Sequence, residues 1–146
     1  MNNIIEKLGN YAMDNGIGVE MCGLLDPLTP AACNTVTKKV VINTNWYRPK
    51  QIPFTFAHEI AHILNGDVEN RILYFSSAAS ASKIELAANT TAIKLLTPYY
   101  VGERPEEYIR SSEFMDIFDI PGHLENTIER ELTAVLLKAP TTKAEV

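Results

Sequence analysis

The sequence predicts an α+β protein in which helices pack on a small, mostly antiparallel sheet. The chain has 146 residues, 46% of them apolar, and apolar residues recur at helical spacing in several segments. Residues 17–48 instead contain short runs of strand formers, which are interrupted by turn residues such as Asp26 and Pro27. Because this length is typical of one core, we predict a single domain over residues 1–139, followed by a frayed tail over residues 140–146.

The first half of the chain predicts one helix and then the strands. Asn3 and Glu6 have the spacing of a capping box, so the first helix is expected to begin there and to end near Gly16. Within residues 17–48 the strand formers predict two or three short strands that are mostly antiparallel. These strands are expected to end near Trp46.

The second half predicts mainly helices. Pro53 suits the first position of a helix, and the segment from Phe54 to Leu64 is apolar on all sides, which predicts a buried helix. The small-residue stretch from Ser76 to Ser82 predicts a loop that serves as a lid or as a plain connector. Later helices are predicted over residues 83–96, 106–118 and 124–136.

Composition and charge exclude several classes of function. The net charge is −5, which does not suit direct binding to nucleic acid. No apolar run reaches the roughly 18 residues of a membrane helix, and no secretory signal is visible, so we expect a cytoplasmic protein without membrane contact. Cys22 and Cys33 form no CxxC pair and are expected to be buried, reduced thiols.

One short stretch carries the chemistry that the sequence predicts. Within residues 57–64 the polar side chains are His58, Glu59 and His62. Burying three polar groups in an apolar helix is costly unless a partner satisfies them. His58 and His62 are at positions i and i+4, so both project from one helical face and can bind one zinc ion. Glu59 lies beside them as the general base of an HExxH arrangement.

A catalytic zinc site needs a third protein ligand. The metzincin pattern would place Gly and His at positions that here hold Asn65 and Val68, so that class is excluded. The one remaining histidine, His123, lies far along the chain. The third ligand is therefore expected to be a carboxylate.

Glu85 is the favoured third ligand because it lies near the start of the next predicted helix. Ala88 lies about one turn further on, where a small residue would let the two helices approach closely. Asn89 could accept a hydrogen bond from a ligand histidine and hold its ring in place. Asp67 and Glu69 remain alternatives, but they follow the end of the helix closely and are not expected to fold back easily.

These residues resemble the ImmA/IrrE-type zinc metallopeptidases. Residues 54–64 are similar to the HExxH helix of that family. Residues 85–89 match its E-x-x-A-N motif, and residues 92–98 match its closing A-x-x-L-L-x-P motif. The resemblance covers about residues 36–98.

The resemblance implies a zincin-like fold in which His58, His62 and Glu85 bind zinc and Glu59 is the catalytic base. It also implies site-specific cleavage of one protein partner, often a DNA-binding repressor encoded nearby in a phage, a mobile element or a stress operon. DNA would then be reached only through that partner.

The sequence also suggests which strand pairs with the substrate and which residues could donate to its oxyanion. In zincins a strand beside the active-site helix pairs with an extended substrate, and Lys39 to Asn43 is expected to provide that edge. Four residues are candidates for a donor to the oxyanion of the substrate: His123, Tyr74, Tyr99 and Tyr100.

Two functional hypotheses follow from the sequence. The first is a zinc-dependent endopeptidase of narrow specificity. The alternative is a non-catalytic, zinc-dependent module that binds and sequesters a regulator. The first is favoured because the four residues that the chemistry needs, three ligands and a base, are all available.

Overall fold

The computed structural model describes residues 2–67, 72–75 and 83–144. The described part contains five α-helices and four strands, and it confirms the predicted α+β class. In chain order they are α1 (Asn2–Asp14), β1 (Gly18–Cys22), β2 (Ala32–Asn34), β3 (Lys39–Asn43), α2 (Ile52–Leu64), β4 (Ile72–Tyr74), α3 (Lys83–Val101), α4 (Ser111–Phe118) and α5 (Glu125–Ala144). The helix α5 extends to Ala144, and the division into a domain over residues 1–139 and a tail stays a prediction.

The four strands form one mixed sheet in the order β1-β3-β2-β4. β1 pairs with β3 in parallel, whereas β2 pairs antiparallel with both β3 and β4. The prediction that Lys39 to Asn43 forms the edge of the sheet is wrong, because β1 and β2 occupy both sides of β3. The edges of the described sheet are β1 and β4, and β4 was not predicted because three residues are too short to show an alternating pattern.

The sheet buries one face against the helices. In β3, Val40 and Ile42 are fully buried whereas Lys39 is exposed. Cys33 in β2 is paired with Val40 and is also buried. The alternation along β3 follows from the period of two residues of a strand, so every second side chain reaches the core.

The helix α2 lies in the centre of the molecule, as its apolar sequence predicts. Each residue from Ile52 to His62 is buried. It packs against the sheet and against α1, and its most extensive contact is with α3. Ala61 of α2 and Ala88 and Ala92 of α3 are fully buried, which permits the close approach of the two helices.

The helix α3 extends further than the sequence predicts. It was expected to end before Pro98, but it continues to Val101 with Pro98 inside it. Proline removes one hydrogen bond of the helix and does not by itself end it. The last turn is held by the core, because Leu96 is fully buried and Tyr100 is 3% exposed.

The chain has no disulfide between Cys22 and Cys33, and the second of these is buried as predicted. Cys22 is only partly buried. None of the helices within the described ranges is long and apolar enough to cross a membrane.

Candidate metal centre

The site is built by two packed helices. α2 contributes His58 and His62 one turn apart, and the first turn of α3 contributes Glu85. His58 Nε2 lies 2.9 Å from Glu85 Oε2, and His62 Nε2 lies 3.2 Å from Glu85 Oε1. The two Nε2 atoms are 3.1 Å apart. The structure therefore brings together the three side chains that the sequence proposes as ligands.

The other ring nitrogen of each histidine is also engaged. His58 Nδ1 donates to Oδ1 of Asn89, at 2.8 Å, and His62 Nδ1 donates to Oδ2 of Asp67, at 3.0 Å. Because these oxygens are acceptors, each Nδ1 must carry a hydrogen. In a neutral imidazole the Nε2 atom then keeps its lone pair, so both lone pairs face Glu85.

The arrangement of donor atoms fits a divalent metal ion. Two imidazole nitrogens and a carboxylate oxygen are ligands that zinc accepts, and a zinc site of this kind keeps a fourth position open. Atoms bound to a tetrahedral zinc at about 2.0–2.1 Å lie about 3.3 Å from one another. The observed separations of 2.9–3.2 Å are close to this spacing. The two histidines are fully buried, whereas the side chain of Glu85 is 12% exposed.

The electrostatics of the three groups reflect their mutual contact. Burial lowers the pKa of His58. Burial acts in the same direction on His62, but the hydrogen bonds and charges of Glu85 and Asp67 outweigh it and raise the pKa. Burial of Glu85 would raise its pKa, but its hydrogen bonds with the two histidines and their charges lower it to about 2. Glu85 is therefore a carboxylate at neutral pH, as a metal ligand must be.

Glu59 differs from the three grouped side chains. It is fully buried, and among the described residues neither of its carboxylate oxygens has a hydrogen-bond partner that satisfies ordinary geometry. Burial raises its pKa well above the usual value, the thiol of Cys33 lowers it somewhat, and the charge of Glu85 raises it. A carboxylate that is buried and poorly satisfied is costly, and such groups are concentrated at functional sites.

Two residues beside the site were missed by the sequence analysis. Phe75, directly after β4, packs its ring edge-to-face on His58, with 5.2 Å between the ring centroids. It is 4% exposed and also packs on Phe54. Cys33 of β2 is the second, through its action on Glu59. Both come from the sheet, and no local spacing relates them to the HExxH helix.

Asp67 shows that one sequence argument is wrong. This residue was not expected to fold back after the end of α2, yet its side chain reaches His62. It contacts Nδ1 and not the Nε2 atom that faces Glu85, so it does not lie where a third ligand would. The other alternative, Glu69, lies outside the described residues, as does the loop from Ser76 to Ser82.

The candidates for an oxyanion donor are distributed over the molecule. His123 is exposed in a short turn before α5 and makes none of the hydrogen bonds that join the cluster. The backbone of Tyr74 pairs with Ala32 in the sheet. Tyr100 is committed to hydrogen bonds with the region around α4, and Tyr99 packs beside Lys7. The role of an oxyanion donor stays a prediction for these residues.

Comparison with known proteins agrees with this geometry. Residues 14–115 match the family model of peptidase M78, which is described as the IrrE N-terminal-like domain. The match contains both helices that carry the cluster and the strands between α1 and α2. No curated protein and no solved structure matches the chain.

Proposed function

Because the chain belongs to the ImmA/IrrE metallopeptidase family, we propose that it is a zinc-dependent endopeptidase that cleaves one regulatory protein, such as a repressor. The observation that carries this proposal is the meeting of two histidines and a glutamate that could hold a metal beside Glu59, a buried carboxylate that makes no ordinary hydrogen bond within the described part of the chain. The net charge of −5 disfavours direct contact with nucleic acid.

In this proposal His58, His62 and Glu85 hold the zinc ion. A zinc ion bound there would lower the pKa of a bound water towards about 7 and polarise the carbonyl of the scissile peptide bond. The Nδ1 contacts of Asn89 and Asp67 support the role of the histidines, because they leave the lone pair of each Nε2 atom available.

Glu59 is the proposed general base. One of its carboxylate oxygens takes a proton from the water that attacks the carbonyl carbon, and the carboxyl group then gives a proton to the leaving amine as the C–N bond breaks. A raised pKa supports this role, since a base that must also return a proton works best with a pKa near the working pH. Glu59 is not among the grouped ligands, so it is available for proton transfer.

The substrate is proposed to bind as an extended strand along β4. This strand replaces Lys39 to Asn43 in that role, because β4 is an edge of the described sheet and β3 is not. Phe75 follows β4 directly and packs on His58, so the edge leads to the metal centre. Main-chain hydrogen bonds to a sheet edge accept many sequences, and specificity then comes from pockets for alternate side chains.

The function can be tested with Glu59→Gln, which keeps the shape of the side chain and removes the base. We expect the zinc-loaded parent to produce new N-termini in a library of proteins from the source cell, measured by mass spectrometry. The variant should lose at least about 10²-fold of this activity, which is the usual contribution of a general base. Both proteins should bind about one zinc ion per chain, measured by elemental analysis.

The same variant separates cleavage from sequestration. If Glu59→Gln still binds zinc and keeps the full effect of the protein on its regulator, proteolysis is not the function. The hypothesis of a module that only binds the regulator is then correct. If the parent purified without chelators binds no divalent metal even when zinc is added, the metallopeptidase proposal fails.

A further inference from the structure

The turn that ends α2 has the geometry of a Schellman motif. Gly66 has a φ of +72°, which is the left-handed conformation that glycine adopts readily. Its N–H donates to the carbonyl of Ile63 at 3.1 Å, and the N–H of Asp67 donates to the carbonyl of His62 at 3.2 Å. These two bonds define the motif and return the chain towards the last full turn of the helix.

The same turn holds the side chain of His62. Oδ2 of Asp67 accepts a hydrogen bond from Nδ1 of His62 at 3.0 Å, so one residue contacts both the backbone and the imidazole of the other. His62 is fully buried and the side chain of Asp67 is 15% exposed. An apolar contact is frequent between these two positions of a Schellman motif, whereas here a carboxylate meets a ring.

The two histidines are supported from different places. Asn89, a neutral amide, comes from α3 and holds His58, together with Glu85 on the same helix. Asp67, a carboxylate, comes from the end of α2 itself and holds His62. A carboxylate at Nδ1 fixes the ring and makes Nε2 a better electron donor to a metal. The Nδ1 support of His62 therefore comes from the turn that ends α2, and Thr91 of α3 donates to Oδ1 of Asn65 in the same turn at 3.0 Å.

We infer that Gly66 and Asp67 are positioning residues of the metal centre, which lock the ring of His62 with its Nε2 atom directed at the zinc ion. This inference rests on the proposed function, since it requires that the site bind zinc. The left-handed conformation of Gly66 makes the contact between Asp67 and His62 possible, because it turns the chain back so that Asp67 reaches the residue five positions earlier.

The test is the dissociation constant for zinc, measured by competition with a chromophoric chelator on the metal-free protein. Asp67→Ala removes the acceptor, and we expect it to weaken zinc binding about 10- to 100-fold. Asp67→Asn keeps an oxygen that can accept from Nδ1, so it should recover part of this loss. If Asp67→Ala does not fold, the dissociation constant for zinc of Asp67→Asn is compared with that of the parent instead.

Gly66 provides an independent test of the same turn. A Cβ atom at this position would meet no atom of the described residues within 4 Å, so the strain of a substitution comes from the positive φ. Gly66→Asn should bind zinc within about twofold of the parent, because asparagine tolerates the left-handed region. Gly66→Val should weaken zinc binding several-fold, because a β-branched residue does not tolerate it.

A matched control comes from Asp116, an aspartate whose side chain is 84% exposed. Asp116→Ala should leave zinc binding unchanged. If Asp67→Ala is folded, lowers the Tm of the metal-free protein and binds zinc as tightly as the parent, the turn is only a helix cap and the inference is wrong. If the parent itself binds no zinc, both the proposed function and this inference fail. If the parent binds zinc and Asp67→Ala binds it equally tightly, only this inference fails, so the two failures are distinguishable.

Discussion

Two polar clusters within the described residues differ in how donors and acceptors are combined. One is the metal centre of His58, His62 and Glu85. The other surrounds α4 and is called the α4 network here: Tyr100, Arg104, Arg110, Glu113, Arg48 and Asp119. Both clusters join residues that are far apart in the sequence, and both contain carboxylates close to other polar groups.

In the α4 network donors meet acceptors. The hydroxyl of Tyr100 donates to Glu113 at 2.7 Å and accepts from the backbone N–H of Arg110 at 3.0 Å. The guanidinium of Arg48 donates to both oxygens of Asp119, at 2.7 and 2.8 Å. Such a network satisfies itself and needs no ligand, so its role is to hold α4 in place.

In the candidate metal centre three acceptors converge when both imidazoles are neutral. With each Nδ1 atom donating to Asn89 or Asp67, two lone pairs and a carboxylate are directed at one point. Acceptors that converge in this way are stabilised by a proton or a cation, because burial makes the mutual repulsion of their lone pairs expensive. The comparison teaches that buried acceptors which converge on one point indicate a site for a cation, whereas a network of donors paired with acceptors indicates a structural role.

The largest expected effect is on the metal centre. Glu85→Ala removes one of three protein ligands, so we expect the dissociation constant for zinc to rise on the order of 10³-fold. The measurement is chelator competition, with the exposed Asp116→Ala as control. Zinc should also raise the Tm of the parent and not that of the variant, since only the parent is stabilised by binding. Unchanged affinity would mean that Glu85 is not a ligand.

An intermediate effect is expected in the α4 network. Tyr100→Phe removes a hydroxyl that serves Glu113 and the N–H of Arg110 in a residue that is 3% exposed. We expect the free energy of unfolding to fall by about 1–2 kcal/mol. Urea denaturation of the metal-free protein measures this loss. The zinc dissociation constant should not change, and a tenfold change would show that the two clusters are coupled.

The smallest effect is expected at the ion pair of Arg48 and Asp119. Asp119 has a φ of 52, which asparagine also tolerates, so Asp119→Asn removes the charge without straining the backbone. The Arg48 side chain is 47% exposed, and a pair of this kind contributes about 0.2–1 kcal/mol. Urea denaturation in low and high salt should show a loss that decreases with salt. A loss above about 2 kcal/mol would contradict the view of a solvent-screened pair.

The main features of the metal centre could be predicted from the sequence because they depend on local spacing. The i, i+4 spacing places His58 and His62 on one helical face, and the apolar residues around them predict that the helix is buried. Glu85 was predicted from its position on the next helix, with small residues to bring the helices together. The contact of Asp67 could also have been found, since Gly66 after the helix is the signal of a Schellman motif.

The sheet could be predicted only in part. Strand formers identify the strands within residues 17–48, but pairing brings together residues that are distant in the sequence. The parallel pairing of β1 with β3 and the addition of β4 next to β2 leave no local pattern, and these decide which strand is the edge. The end of α3 was also misjudged, because core packing of Tyr100 outweighs the hydrogen bond lost at Pro98.

The sequence by itself determined the chemistry of this protein: two histidines and a glutamate on one helix, and a carboxylate on the next. Helical periodicity is a local property, so the residue spacing is sufficient to place these groups. Only the tertiary structure decided which carboxylate meets which nitrogen, that Phe75 covers His58, and that β4 is the edge beside the site. These depend on long-range packing, which is set by the fit of whole surfaces and not by any local pattern.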